Sequence, residues 1–194
     1  MRRKTIRSGW FLILLFLAGC GYNSLQAMDE EVNAAWSEIQ NQYQRRYDLV
    51  PNLVETVKGF ATQEREVLTQ VVEARSKVGQ MKISPAITND PEQFKKFEEA
   101  QAGLSSALSR LMVVVERYPE LRSNENFLTL QSQLEGTENR IAVARRDYIQ
   151  AVRQYNTKVR AFPTNLTAKY LLGLQVRENF SAEKGAQEAP KVKF

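Results

Sequence analysis

The chain has 194 residues, 43% of them apolar, with only 9 glycines and 6 prolines. That suits one domain with a real core, and abundant Ala, Leu, Gln, Glu and Arg favours helix over strand. Four positive charges (Arg2, Arg3, Lys4, Arg7) precede the first apolar run, and without them 23 basic residues face 22 acidic ones. This near-neutral balance gives no basic face for nucleic acid.

The basic residues up to Arg7 lead into an apolar run, Gly9 to Gly19. Eleven residues are too few for a membrane-spanning helix, which needs about 20, and they match the apolar core of a secretory signal peptide. The run ends in Leu17-Ala18-Gly19-Cys20, with the only cysteine of the chain. This resembles the lipobox of bacterial lipoproteins. It implies a leader over 1–19 that is cleaved and a lipid on Cys20, with 20–28 as the acylated N-terminus and a short tether. Several acyl chains hold firmly at about 0.8 kcal/mol per buried CH₂. Gly21 is not the aspartate that commonly retains lipoproteins in the inner membrane. The resemblance therefore implies the periplasmic face of the outer membrane where the organism has two membranes.

Four segments then show apolar residues every three or four positions, the stripe of an amphipathic helix. The first carries Val32, Trp36, Ile39, Tyr43, Tyr47 and Val50, and the second runs from Leu53 to Met81. The third runs from Phe94 to Tyr118 and the fourth from Phe127 to Phe162. Pro51 predicts a turn between the first two, with Asp48 capping a new helix. Asp90-Pro91 with Gln93 predicts the start of the third helix, and Asn124 that of the fourth. These elements predict an all-α fold, an antiparallel up-and-down four-helix bundle over 29–163; a trimeric or tetrameric coiled coil is the alternative. A short amphipathic helix is expected over 164–180 and a disordered tail over 181–194.

The chemical inventory is sparse. No histidine is present, which removes the commonest general base and zinc ligand. Nor is there a phosphate-cradling glycine motif. Ser105, Ser106 and Ser109 fall on a helix without a nucleophile elbow. Glu135 and Glu138 stand three residues apart, a spacing that a metal site and a solvated face share. We therefore expect no catalytic residues, no metal and no cofactor. Four polar residues, Arg46, Glu64, Gln101 and Thr137, occupy positions where the stripes predict apolar ones. They either form a buried layer that fixes helix register or lie at helix ends and reach to water. Arg45-Arg46 and Arg145-Arg146 stand beside Asp48 and Asp147, as surface ion pairs would.

Several blocks occur in order: R-R-Y-D-L-V-P-N-L-V-E-T-V-K-G (Arg45 to Gly59), E-R-Y-P-E-L-R-S-N-E-N-F (Glu116 to Phe127) and L-E-G-T-E-N-R-I-A-V-A-R-R (Leu134 to Arg146). With Tyr22-Asn23, Ala35-Trp36-Ser37 and Tyr155-Asn156 they resemble the LemA family over about residues 22 to 165. The chain departs from that pattern at Tyr148-Ile149, where the family often has a second Y-N, and in its longer tail. The resemblance implies a helical bundle on a membrane anchor in the bacterial envelope and no established enzymatic activity. The expected function is a lipid-anchored scaffold that docks envelope proteins. The alternative is a sensor holding a small ligand or lipid between its helices. Partner identity and self-association stay open at this level.

Overall fold

Long helices make up most of the computed structural model, which describes residues 21–81 and 84–181 with their side chains. The leader, the lipid site at Cys20 and the tail from 182 lie outside those residues. In chain order the elements are α1 (Arg2–Phe60), α2 (Arg65–Gly79), a 3-10 turn (Pro85–Asn89) and α3 (Pro91–Val115). A single turn, α4 (Pro119–Arg122), leads to α5 (Glu125–Arg160), α6 (Thr164–Leu166) and one wide helical turn (Thr167–Leu172). Among the described residues there is no strand, and the fold is all-α.

Helix boundaries follow local chemistry. The Asp90 carboxylate accepts the backbone N–H groups of Glu92 and Gln93, both at 3.0 Å, so α3 starts at Pro91 as expected. Asn124 does the same for Phe127 N–H at 3.1 Å and starts α5. Both caps satisfy donors that a helix cannot satisfy for itself.

Two expectations about the first helix are corrected. Helix α1 does not turn at Pro51 but continues to Phe60, and Asp48 accepts from Gln44 within that helix instead of capping a new one. The break falls at Ala61 to Glu64, between α1 and α2. Val50, Leu53, Val54 and Val57 are all buried around the proline, and such packing outweighs the helix penalty of one residue. Residues 21–28, expected as a tether, already belong to α1, with Leu25 fully buried.

The long helices alternate in direction. Residues of α1 between Leu25 and Tyr43 share a core with α5 residues between Ile141 and Val159, and those between Val50 and Val57 share another with Phe127 and Leu134. This pairing makes α1 and α5 antiparallel. Helix α2 returns along α1, and α3 runs back along α2, tied by Arg110 to Gln70 at 3.1 Å.

The α2 helix has only 15 residues, so four helices surround only the aliphatic core of Val50, Leu53, Val71, Leu104 and Leu111. Around the other core, α1, α3 and α5 are joined by Ile87 of the 3-10 turn and by the chain after Leu166. That core is aromatic, with the Trp36 ring 5.4 Å from both Phe97 and Tyr148. The helix expected over 164–180 covers only its first part. Gly173 (φ +63°) ends the helical turn in the left-handed region that glycine tolerates, and 174–181 form an extended strap across the bundle.

Candidate functional site

The polar layer lies between the two cores. On α1, Arg46 follows Tyr43 by three residues and precedes Val50 by four, which puts it on the buried face. It is 1% exposed. Its Nη1 donates to Ser105 Oγ at 2.7 Å and to Glu138 Oε1 at 3.0 Å. Nη2 donates to the side-chain oxygen of Gln101, and at 3.4 Å to its backbone carbonyl. The guanidinium carbon lies 5.0 Å from the Tyr43 ring centre. One cation thereby ties α1 to both α3 and α5.

Of the four polar seam residues, Arg46, Gln101 and Thr137 are buried. Arg46 and Gln101 bond to each other, while the Thr137 hydroxyl turns back to the Gln133 carbonyl of its own helix at 2.7 Å. Glu64 lies outside the layer. It precedes α2, pairs with Arg117 at 3.2 Å and accepts from the Tyr118 hydroxyl at 3.1 Å. The layer thus belongs to Arg46 and Gln101, with Ser105 and Glu138 joining from positions that the stripes do not mark.

Above Arg46 the layer opens into a cleft of about 240 Å³ between α3 and α5. Lys95, Glu98, Glu138, Arg145 and Phe180 stand around it. Glu138 is 40% exposed at its side chain, so the ion pair has one partner reaching solvent. Burial raises the Tyr43 hydroxyl pKa against the opposing pull of Arg145 and Arg46. Arg46 Nε and Gln101 Nε2 are buried donors without a protein acceptor. The other charged pairs are dispersed: Arg145 lies 4.4 Å over the Phe180 ring rather than on Asp147, and Glu135 accepts from Gln131. Among the described residues no group of three or more His, Cys, Asp and Glu could hold a metal ion.

Sequence reasoning missed the strap. Asn156 holds the backbone of Arg177 from both sides, donating to its carbonyl at 2.9 Å and accepting its N–H at 2.8 Å. The Tyr148 and Tyr155 hydroxyls donate to the carbonyls of Glu178 and Gln175 at 2.8 and 3.0 Å. Arg177 reaches Asp29 at 2.7 Å and Thr88 at 2.9 Å. Phe180 then packs 5.0 Å from Phe94 and closes one end of the cleft. Tyr155-Asn156 is part of the family resemblance in the sequence. What it grips is unpatterned main chain, which leaves no periodic signal.

Long alternating helices around a buried arginine layer, strapped by an extended C-terminal segment, define an all-α bundle protein. The LemA family model matches residues 35–194, and the chain belongs to the LemA family. Relatives include the magnetosome protein MamQ 2 of Paramagnetospirillum magneticum, 29% identical over 187 residues that cover 88% of this chain and 68% of the relative. MamQ of Magnetospirillum gryphiswaldense is 26% identical with the same coverage. Protein LemA of Metamycoplasma hominis is 25% identical over 184 residues, covering 87% of this chain and 78% of the relative. Among the described residues no helix is long and apolar enough to cross a membrane.

Proposed function

We propose that the chain is a membrane-associated envelope protein, tethered through lipid on Cys20, whose bundle is a docking scaffold rather than an enzyme. The observation that carries this reading is the junction between address and fold. Gly21, one residue past the expected lipid site, is already buried in the bundle. A Cβ at that position would stand 2.5 Å from Thr164 Cγ2. With no slack between them, acyl chains on Cys20 would hold the bundle directly at the bilayer, with a fixed end facing it. The leader, the lipobox and kinship with LemA and magnetosome proteins support a membrane-associated envelope protein, and Gly21 in place of a retaining aspartate supports the outer membrane's periplasmic face where two membranes exist. A rigid body at a fixed orientation suits docking, because partners meet a pre-organised surface.

Metabolic labelling with a fatty acid, followed by membrane fractionation, tests the anchor. Wild type should carry label and sediment with membranes, whereas Cys20→Ser should carry none. Equal labelling of the two would overturn the anchor.

A second reading, a small polar ligand in the cleft, is favoured by the unpartnered donors Arg46 Nε and Gln101 Nε2. A carbonyl or carboxylate oxygen is the group to which they would donate. Mass spectrometry of protein purified under native conditions decides whether any such ligand travels with it.

A further inference from the structure

The end of the bundle beside Gly21 carries large apolar side chains that the fold does not bury. Phe162 is 81% exposed, Tyr170 73% and Leu171 65%, with Leu166 and Tyr22 also exposed. Four of the five lie within ten residues of one another, in the turn after α5 and the helical segments that follow. That segment packs directly on the start of the bundle: Ala168 shares the aromatic core with Leu25, and Thr164 fills the space beside Gly21. Burying Ala168 and Thr167 while leaving Tyr170 and Leu171 outside divides the wide turn into a core face and an apolar outer face. Monomeric proteins seldom leave so many large apolar side chains together without a partner.

Chain geometry supplies the partner. Helix α1 enters the bundle at Gly21, directly from the eleven-residue apolar run that ends at Gly19. Whatever holds Cys20 therefore lies beside this rim. Aromatic rings with a polar tip, such as Tyr170 and Tyr22, suit the headgroup level of a bilayer. Lys169, with its ammonium 5.5 Å over the Tyr170 ring, and exposed Arg160 add positive charge for anionic lipid. We propose that Phe162, Leu166, Tyr170 and Leu171 form an interfacial membrane-contact rim that dips into the headgroup region. The rim makes a second, non-covalent contact beside the lipid and fixes which way the bundle faces. This proposal rests on the membrane-tethered reading above and extends it to a specific surface.

The acylated full chain in phosphatidylethanolamine–phosphatidylglycerol vesicles provides the test. With Cys20 blocked by lipid, Tyr170→Cys introduces the one free thiol for an environment-sensitive NBD label. Val113→Cys, at a site 70% exposed on α3, is the control. The label at 170 should shift to the blue and be quenched by aqueous iodide several-fold less than the label at 113. Replacing Phe162, Leu166 and Leu171 by serine should return the 170 label to water while the protein stays on the vesicles. Vesicle-bound protein whose two labels are equally open to iodide would overturn the rim and leave the anchor standing. Protein that fails to co-sediment with vesicles would overturn both.

Discussion

Arg75 supplies the hydrogen bond that Pro51 cannot give to Tyr47. In an uninterrupted helix the Tyr47 carbonyl would accept the N–H of residue 51, and proline has none. Instead Arg75 Nε donates to that carbonyl from α2 at 3.1 Å, and its guanidinium stacks 3.7 Å from the centre of the Tyr47 ring. The same side chain thus repairs α1 and docks α2 upon it.

This relationship makes a double-mutant prediction. Arg75→Met should cost about 1–2 kcal/mol in wild type, through a lost charged hydrogen bond and a cation–π contact. In a Pro51→Ala background, where residue 51 regains its N–H, the same change should cost about 1 kcal/mol less. Urea unfolding of the four proteins measures the coupling; identical costs in both backgrounds would refute the repair.

The same residues show what could be read from sequence. Stripes and caps are local, so the burial of Val32, Trp36, Ile39 and Val50 and the starts of α3 and α5 were legible. Continuation through Pro51 was not, because its remedy stands 24 residues further along the chain on another helix. Arg46 and Gln101 were visible as misfits in apolar stripes, whereas Ser105 and Glu138 were not, since polar residues beside a stripe look like solvent-facing ones. The strap had no pattern to read.

Arg46 should be the most damaging polar residue to truncate. Arg46→Ala opens a cavity and leaves Gln101 without its donor, and should cost about 3–5 kcal/mol. Glu138→Gln should cost only about 1 kcal/mol, because that carboxylate already reaches water. An apolar pair, Arg46→Met with Gln101→Leu, should recover most of the stability. Denaturant midpoints for these variants check the order.

Close packing at the tethered end is equally specific. Gly21→Ala drives a methyl into Thr164 Cγ2 and should destabilise by about 1–3 kcal/mol. Thr164→Ser removes that methyl but keeps the hydroxyl that donates to the carbonyls of Lys158 and Ala161. The double variant should therefore be more stable than Gly21→Ala alone in thermal melts.

At high pH the buried tyrosines should lower stability. Burial raises the hydroxyl pKa of Tyr148, Tyr155 and Tyr43 above the ordinary value of 10.0. Above about pH 10 the unfolded chain releases these protons while the folded one retains them. Their contribution is complete below pH 10 and lost as pH rises toward the folded-state values. Tyr148→Phe should flatten this alkaline decline while costing about 1 kcal/mol at pH 7, where the Glu178 carbonyl loses its donor. Urea midpoints from pH 7 to pH 11 report both effects.

The most direct test of a membrane-held docking scaffold is chemical cross-linking in the native membranes, with the co-purifying proteins identified for wild type and for Cys20→Ser. A defined envelope protein captured by wild type and lost from the unanchored variant is the predicted result. Capture of the same proteins that an unrelated lipoprotein captures, and nothing more, would contradict the docking function.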